Sequence, residues 1–308
     1  ISSGTPSRYK VSRVLDATEG VSPVSPDCTP SPRAIARGLM PPTRPTIPLM
    51  IDTHCHLTFP DFAGRTAGVL ELARIHDVTG CITISTTTRD CLDCLALAKA
   101  FPRIWCTSGI HPLHSDEEPH EWANLRRCIE EPKCVAWGEL GLDNHYKTPL
   151  REIQHEVLAQ HLAFIESALA EGISKPIVIH CREAFDDLIP ILRRTKLDPT
   201  RFVFHCFTGT AGDCRKVLDF GACISFTGVS TYRNADEVRD AARLVPADRI
   251  LVETDAPFLS PEPKRGARPC EPWMTSLTAK RLAETRNVDW ESFHTQLNAN
   301  TKRFFGIE

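Results

Sequence analysis

The chain has no long hydrophobic run. No apolar stretch in its 308 residues approaches the ~20 residues that a transmembrane helix needs, and nothing resembles the apolar centre of a signal peptide. An apolar content of 42% and a charged content of 24% are typical of a globular protein. These features predict a soluble chain without membrane contact, large enough for one large domain or two ordinary ones.

The chain also lacks an excess of charge of either sign. Its formal net charge is −3 at pH 7, so there is no overall basic surface of the kind that attracts nucleic acid. Contact with a polyanionic substrate would have to come from a local group of cations. The charge balance neither supports nor excludes such a substrate, and no feature indicates an obligate protein partner.

Closely spaced cysteine pairs of a disulfide framework are missing. The thirteen cysteines are odd in number and spread along the chain, and several lie in apolar strand-like runs. This pattern favours small buried side chains in a reducing compartment. Cys91 and Cys94 form a CxxC motif, but no second cysteine or histidine pair stands at zinc-finger spacing. Together with the missing export signal, the cysteines predict a cytoplasmic protein.

Residues 1–49 differ from the rest of the chain. They contain nine prolines and seven serines and show no sustained helix or strand period. Such a segment buries too little apolar surface to offset its ordering entropy, so it is predicted to be a disordered extension. The predicted folded domain therefore covers residues 50–308.

From Met50 onward, short runs rich in valine and isoleucine alternate with amphipathic helical patterns. Strands are predicted at 49–52, 81–85, 104–108, 134–137, 176–180, 202–205, 222–226 and 250–253, and helices at 66–75, 91–100, 122–130, 151–171, 184–193, 213–220 and 237–245. Eight such units in about 250 residues predict an α/β fold, a (β/α)₈ TIM barrel. A doubly wound open sheet is the alternative, but no glycine-rich nucleotide loop follows the first strand.

Ionisable residues cluster where these strands end. Each has an ordinary explanation by itself, such as a rim histidine or a turn carboxylate. Six of them at one end of one barrel would cost several kcal/mol in desolvation unless a cation compensated them. In strands, residues two positions apart point to the same side, so the first pair would project together. The candidates are His54, His56, Glu139, His180, His205 and Asp255.

Four imidazoles and two carboxylates, one of them able to bridge, suit two divalent ions. Imidazole favours zinc, manganese, iron or nickel over magnesium, while carboxylates and water leave hard cations such as magnesium possible. Two such ions activate water as a nucleophile, so the residues predict a hydrolase.

Six ordered motifs resemble one known family. They are DTHCHL at 52–57, GIHP at 109–112, GELGLD at 138–143, IVIHCRE at 177–183, HCFTG at 205–209 and ETDAPFLSP at 253–261. In order and spacing the chain from residue 50 to 308 resembles TatD-type deoxyribonucleases of the metal-dependent amidohydrolase superfamily. The resemblance implies a metal-dependent 3′→5′ DNA exonuclease.

The resemblance also implies an assignment of the ligands. His54, His56 and Asp255 would hold one ion, His180 and His205 the other, and Glu139 would bridge them. Glu139 and Asp255 would be the catalytic residues, with Asp255 orienting or deprotonating the attacking water.

Substrate contacts are predicted around this set. His111 and Arg182 follow the third and fifth strands and are placed to reach a phosphate, and a guanidinium matches phosphate well. Tyr232 and Arg233 follow the seventh strand, where they would stack a base or contact the backbone. Arg265 and Arg268 form a local cationic patch.

One stretch departs from the family pattern. Family members often have Arg-Asn-Glu-Pro after the eighth strand, whereas this chain has Arg268, Pro269, Cys270, Glu271 and Pro272. The departure affects the expected substrate contacts of this loop and leaves the metal ligands unchanged.

Two other functions are compatible with the sequence. The same metal set would serve hydrolysis of another ester or amide, including D-aminoacyl-tRNA, because the walls of a pocket select the substrate. A catalytically silent binding protein on the same scaffold is the other possibility, but all six ligand positions are filled.

Overall fold

A computed structural model describes residues 50–308 of the chain, and the disorder predicted for residues 1–49 lies outside the described residues. Eight parallel strands follow one another in sequence order around one sheet. The predicted (β/α)₈ barrel is therefore confirmed. The strands are β1 Met50–Cys55, β2 Val78–Thr83, β3 Ile104–Ser108, β4 Cys134–Asp143, β5 Ile177–Arg182, β6 Phe202–Phe204, β7 Cys223–Phe226 and β8 Ile250–Val252.

Helices alternate with the strands. They are α1 Thr66–Ile75, α2 Asp90–Ala100, α3 Trp122–Ile129, α4 Arg151–Ala170, α5 Phe185–Leu192, α6 Ala211–Phe220, α7 Asp236–Leu244, α8 Thr275–Arg286 and α9 Trp290–Phe305. The seven predicted helices are present with small shifts of their ends, while α8 and α9 were not predicted. No helix within residues 50–308 is both long and apolar enough to cross a membrane.

The seam between β8 and β1 is joined just beyond the end of β8. Cys55 and Ala256 form a parallel bridge, and the amide of Asp255 donates to the carbonyl of His54 at 2.9 Å. Inside the barrel an apolar cluster fills the volume below the site. It contains Ile51, Ile82, Ile84, Val135, Ala136, Val178, Val203, Cys223 and Leu251 from the strands, with Phe304, Phe305 and Ile307 from the C-terminal end.

Most of the apolar core lies between the strands and the surrounding helices. Eleven of the twelve described cysteines are buried and none of the twelve forms a disulfide, so they occupy space as small core residues, as their strand-like surroundings predict. Burying this apolar surface stabilises the fold by about 25 cal/mol per Å².

The predicted start of β2 was wrong. The strand was predicted to begin at residue 81, but it begins at Val78 and contains Gly80. A Cβ at Gly80 would approach the ring of Trp105 to 2.9 Å and the carbonyl of Arg103 to 3.1 Å. Close packing against the neighbouring strand explains the glycine better than a turn does.

His161 on α4 provides a test of fold stability away from the strand ends. It is fully buried, and neither ring nitrogen has a hydrogen-bond partner in the described chain. Burial, helped by the nearby charge of His120, lowers its pKa to about 3. The folded state therefore resists a proton that the unfolded chain accepts below pH ~6.5.

We expect His161→Leu to flatten the pH dependence of unfolding. As pH falls below ~6.5, the wild-type free energy of unfolding should decline by up to about 1.4 kcal/mol per pH unit because of this residue. Urea denaturation at pH 7, 5.5 and 4 measures the difference between the two proteins. The half-exposed His145, paired with Glu183 at 2.8 Å, gives a matched control in His145→Leu. Equal slopes in wild type and His161→Leu would contradict the expectation.

Candidate metal centre

His54 and His56 come from the end of β1, where the strand departs from regular pairing. Asp52 pairs with Cys81 but Cys55 pairs with Thr83, so β1 has one extra residue between these pairs. Both imidazoles face the same site: the Nε2 atoms of His54 and His56 lie 3.6 Å and 3.3 Å from Oδ1 of Asp255. Cys55 points the other way into the core, as the strand period predicts.

Glu139 lies inside β4, and the prediction that β4 stops at Trp137 was wrong. The strand continues to Asp143 with an extra residue between Trp137 and Leu140. Gly138 lies within the bulge and Gly141 just after it, at φ 122° and 148°. A Cβ at Gly138 would come within 2.6 Å of the carbonyl of Val178, and one at Gly141 would overlap the carbonyl of His180. The glycines let β4 approach β5 closely while the Glu139 carboxylate turns into the barrel mouth.

His180 and His205 meet the carboxylate of Glu139 from the next two strands. Nδ1 of His180 lies 2.7 Å and Nε2 of His205 lies 2.6 Å from Oε1 of Glu139, and the two nitrogens are 3.4 Å apart. The other carboxylate oxygen, Oε2, faces Nε2 of His54 at 3.3 Å and Nε2 of His56 at 4.0 Å. The two oxygens of Glu139 therefore face two different groups of imidazoles.

Asp255 follows β8 with its backbone in the left-handed region, at φ 61°. Asp is among the few residues that adopt this conformation at small cost. The turn places the carboxylate beside the Nε2 atoms of His54 and His56 while leaving the side chain 16% exposed. All six residues predicted as ligands are thus brought together at the strand ends.

The donor atoms of the group around Asp255 are spaced much as the ligands of a single cation are. Ligands stand about 2.0–2.2 Å from a bound zinc ion, so two ligands of one ion are roughly 3–3.5 Å apart. The group of His54, His56, Asp255 and Glu139 Oε2 has contacts of 3.3–4.0 Å. His54 is fully buried, and neither of its ring nitrogens makes a hydrogen bond in the described chain. A divalent ion would supply the partner that this imidazole lacks.

Three buried carboxylates stand behind these side chains, and sequence reasoning missed their role. Oδ2 of Asp143 lies 3.0 Å from Nε2 of His180, and Oε1 of Glu253 lies 3.3 Å from Nδ1 of His205. Asp52 accepts from the amide of His54 at 3.3 Å and from Thr254. Partners such as Asp143 and Glu253 orient metal-binding imidazoles, whereas Asp52 holds the backbone of His54. The signal that could have found them is an acidic residue inside an otherwise apolar buried strand.

The electrostatics of the site favour an ionised Glu139 and a neutral His111. Burial opposes the charge of Glu139, but the neighbouring imidazoles, led by His205, hold its pKa well below the usual range. Burial lowers the pKa of His111 to about 4. Burial raises the pKa of Asp52 to about 7. Glu139 is therefore available as a negatively charged ligand at neutral pH.

The model of the family described as "TatD related DNase" matches residues 51–306. The chain belongs to the TatD family. YcfH of Escherichia coli K12, named an uncharacterized metal-dependent hydrolase, is 36% identical over 262 residues, covering 84% of this chain and 96% of that protein. The "3'-5' ssDNA/RNA exonuclease TatD" of Erwinia tasmaniensis is 35% identical over 264 residues, covering 84% and 100%. The resemblance seen in the six motifs is confirmed, and the chain is a metal-dependent hydrolase.

A solved structure agrees with this membership. YJJV, a TatD homologue from Escherichia coli, superposes with a TM-score of 0.77 at 29% sequence identity, over 85% of this chain and 100% of that one. The TatD-family fold thus carries the His, Glu and Asp groups described above, which are able to bind metal.

The predicted substrate residues of this TatD-family chain have different surroundings. Arg182 is the last residue of β5, and its guanidinium lies 5.0 Å from the centre of the Tyr146 ring. The guanidinium of Arg265 lies 4.2 Å from the centre of the Tyr232 ring. Arg233 is exposed beside Tyr232. These pairs present a cation on an aromatic face, which suits a nucleotide with its phosphate.

Arg268 is less available than its sequence position indicates. Its Nε donates to Oδ1 of Asp61 at 3.1 Å, and the guanidinium lies over Phe258. In the same departing stretch, Cys270 is buried and Glu271 pairs with Arg65 at 2.9 Å. The side chains that replace the usual family pattern are therefore engaged within the chain.

Proposed function

We propose that this TatD-family hydrolase is a 3′→5′ exonuclease that cleaves phosphodiester bonds of single-stranded DNA with two divalent ions. The observation that carries the proposal is the position of Glu139 between two groups of imidazoles, one on each carboxylate oxygen. Metal pairs that share a carboxylate suit an in-line displacement at phosphorus. The name of the Erwinia tasmaniensis relative supports a nucleic-acid substrate.

The proposed ligand roles follow the two groups. His54, His56 and Asp255 would hold one ion and His180 and His205 the other, with Glu139 between them. Divalent ions bound there supply Lewis acidity and lower the pKa of water. Magnesium, manganese and zinc all match part of this donor set.

Asp255 is the proposed proton acceptor for the attacking water. The hydrogen bond with His56 and the charges of His54 and His56 outweigh burial and keep its pKa below the usual value. An ionised carboxylate at neutral pH is able to accept a proton. Its partial exposure leaves a path for water from outside the barrel mouth.

The pairs of a cation and an aromatic ring at the rim favour single-stranded nucleic acid over a duplex. Unstacked bases pack on aromatic faces, whereas bases in a duplex are covered by their neighbours. The guanidinium of Arg182 lies against the Tyr146 ring, and that of Arg265 lies against the Tyr232 ring.

The cytoplasmic location stays a prediction from the sequence.

A substrate panel tests the proposal. Single-stranded DNA labelled at either end, the matching RNA, a D-aminoacyl-tRNA and a cyclic amide are each incubated with magnesium, manganese or zinc. Release of mononucleotides from the 3′ end of DNA is the expected result. Hydrolysis of the aminoacyl ester or the amide without phosphodiester cleavage would contradict the proposal.

The salt dependence of binding separates the two loop arginines. For a protein bound to single-stranded nucleic acid, the plot of log affinity against log salt becomes less steep by about 0.7 for each phosphate contact that is removed. We expect replacement of both Arg265 and Arg268 to flatten the slope, and Arg265→Gln alone to cause most of the change, because Arg268 is paired with Asp61. Fluorescence anisotropy with labelled DNA between 50 and 300 mM salt, roughly the range where such slopes are resolved, measures it.

Arg74→Gln is the matched control, since Arg74 is exposed on α1 and pairs with Glu71 at 2.7 Å. Its slope should equal that of the wild type. An unchanged slope in the Arg265 and Arg268 double variant would remove the phosphate contact from this loop.

A further inference from the structure

His111 lies against the proposed ligands but differs from them in the direction of its proton. We propose that His111 is not a metal ligand: its Nε2–H is a fixed hydrogen-bond donor aimed at a phosphate oxygen of the substrate. The identity of that acceptor rests on the proposed nuclease function. The direction of the donor rests on the structure alone.

The backbone determines which ring nitrogen of His111 carries the proton. Pro112–His114 forms a short 3-10 turn, and His111 is its N-cap residue. The amide of Leu113 donates to Nδ1 of His111 at 3.0 Å. A backbone N–H can only donate, so Nδ1 must hold a lone pair, and the proton of the neutral ring must be on Nε2.

The backbone of His111 is held as well. Its amide donates to the carbonyl of Thr86 at 2.9 Å, and its carbonyl accepts from the amide of His114 at 2.9 Å. The ring is therefore anchored through both its backbone and its Nδ1. Such anchoring fixes the direction of the Nε2–H bond.

Two of the proposed ligands have the opposite arrangement. Nδ1 of His56 lies 3.3 Å from the carbonyl of Ile84, which can only accept. Nε2 of His180 lies 3.0 Å from Oδ2 of Asp143, which is an acceptor when ionised. Each of these rings therefore has an acceptor on its far side that can take the ring proton, so that the nitrogen that faces the site can offer its lone pair to a metal.

Nε2 of His111 faces the same site with a hydrogen. It lies 3.1 Å from Nδ1 of His180 and 3.3 Å from Oε1 of Glu139. A nitrogen that carries a hydrogen has no lone pair to give to a cation. The nearness of His111 to Glu139 and His180 therefore does not make these three residues a metal site.

Metal binding to His180 would change which acceptor is available to the Nε2–H of His111. Nδ1 of His180 has one lone pair, and an ion bound there uses it. The acceptors that remain in the direction of the His111 Nε2–H bond are then Oε1 of Glu139 and an oxygen of the substrate. The side chain is 12% exposed, so a non-bridging phosphate oxygen at the mouth can reach it. A hydrogen bond to such an anion is stronger than one between neutral groups.

The His111→Asn variant removes the Nε2–H donor but keeps the hydrogen bond that caps the 3-10 turn. Asparagine is a favoured cap residue whose side-chain oxygen accepts from the same amide, but its side chain is too short to reproduce the Nε2–H donor. His111→Ala removes both. His114→Ala is the matched control, because His114 pairs with the exposed Glu117 at 2.7 Å.

Three measurements decide the proposal. Long-range ¹H–¹⁵N spectra of the full chain, metal-free and with zinc, should show Nδ1 of His111 unprotonated and Nε2 protonated. Metal analysis should find the wild-type number of ions in His111→Asn and fewer in His180→Ala. On phosphodiester substrate, kcat/KM of His111→Asn should fall on the order of 10- to 100-fold, with His114→Ala unchanged.

The outcomes separate the parts of the proposal. A protonated Nδ1, or loss of an ion in His111→Asn, would overturn the donor assignment. Wild-type kcat/KM in His111→Asn would overturn the substrate contact. If the wild type cleaves no phosphodiester, the proposed nuclease function fails, while the spectra and the ion count still decide whether His111 is a donor or a ligand.

Discussion

Replacing Glu139 with glutamine is expected to remove phosphodiester hydrolysis while the chain stays folded. Both oxygens of Glu139 face imidazoles, at 2.6 Å from His205 and 3.3 Å from His54. An amide cannot supply the second anionic oxygen, so the contact to both ions is weakened at once. We expect a loss of at least about 10³-fold in kcat, because a single preorganised electrostatic contact already contributes about 10²–10³.

The measurement combines turnover with metal content and folding. Release of nucleotides from labelled single-stranded DNA should become undetectable for Glu139→Gln and Glu139→Ala, and bound metal should fall below the wild-type number. Circular dichroism should retain a cooperative transition, since the apolar filling of the barrel does not include this side chain. His180→Ala should behave in the same way.

Glu183→Gln is the control for Glu139→Gln. Glu183 is a carboxylate on the same side of the sheet, next to the end of β5, and it pairs with the exposed His145. Its replacement should leave turnover unchanged. Normal turnover by a folded Glu139→Ala variant would contradict the assignment of Glu139 as the bridging ligand.

Removal of divalent metal is expected to abolish activity and lower the melting temperature. The site buries four carboxylates whose pKa is held below the usual value, and the charge of two divalent ions would balance them. These carboxylates are Glu139, Asp143, Glu253 and Asp255. One divalent ion would leave two negative charges without a counter-charge in a buried site, which is unfavourable.

Titration of the metal-free protein measures both effects. At a free metal concentration of 100 times Kd, binding to the folded state adds about 2.7 kcal/mol, which corresponds to a rise of roughly 5–10 °C in Tm for a domain of this size. Metal analysis should find two ions per chain at full activity. Sodium chloride at matched ionic strength is the control and should not restore activity. Full activity with a single bound ion would contradict the count.

The ligand positions were predictable because of the periodicity of the fold. Parallel strands of a barrel all end at the same face, so a residue at a strand end is placed near other strand ends even when 200 residues separate them. His54 and Asp255 illustrate this: 3.6 Å separates their ligand atoms. The roles of the six residues as ligands stay predictions that the experiments above test.

Other features could not be predicted because they depend on contacts through space. Glu139 was expected after its strand, but the approach of Gly138 and Gly141 to β5 extends the strand past it. The contact of Arg268 with substrate stays a prediction, but its ion pair with Asp61, about 200 positions earlier in the sequence, was not foreseen. Neither pairing leaves a signal in local sequence periods.

The sequence by itself determined the alternation of strands and helices, the common face of the strand ends and the residue types that meet there. These properties follow from side-chain periods of two and 3.6 residues and from the geometry of parallel connections. Only the tertiary structure decided which nitrogen of each histidine faces the site and which buried carboxylate stands behind it. The reason is physical: the hydrogen-bond partner behind each ring sets its orientation, and for His56, His111 and His180 that partner comes from another part of the barrel or from the backbone of a turn.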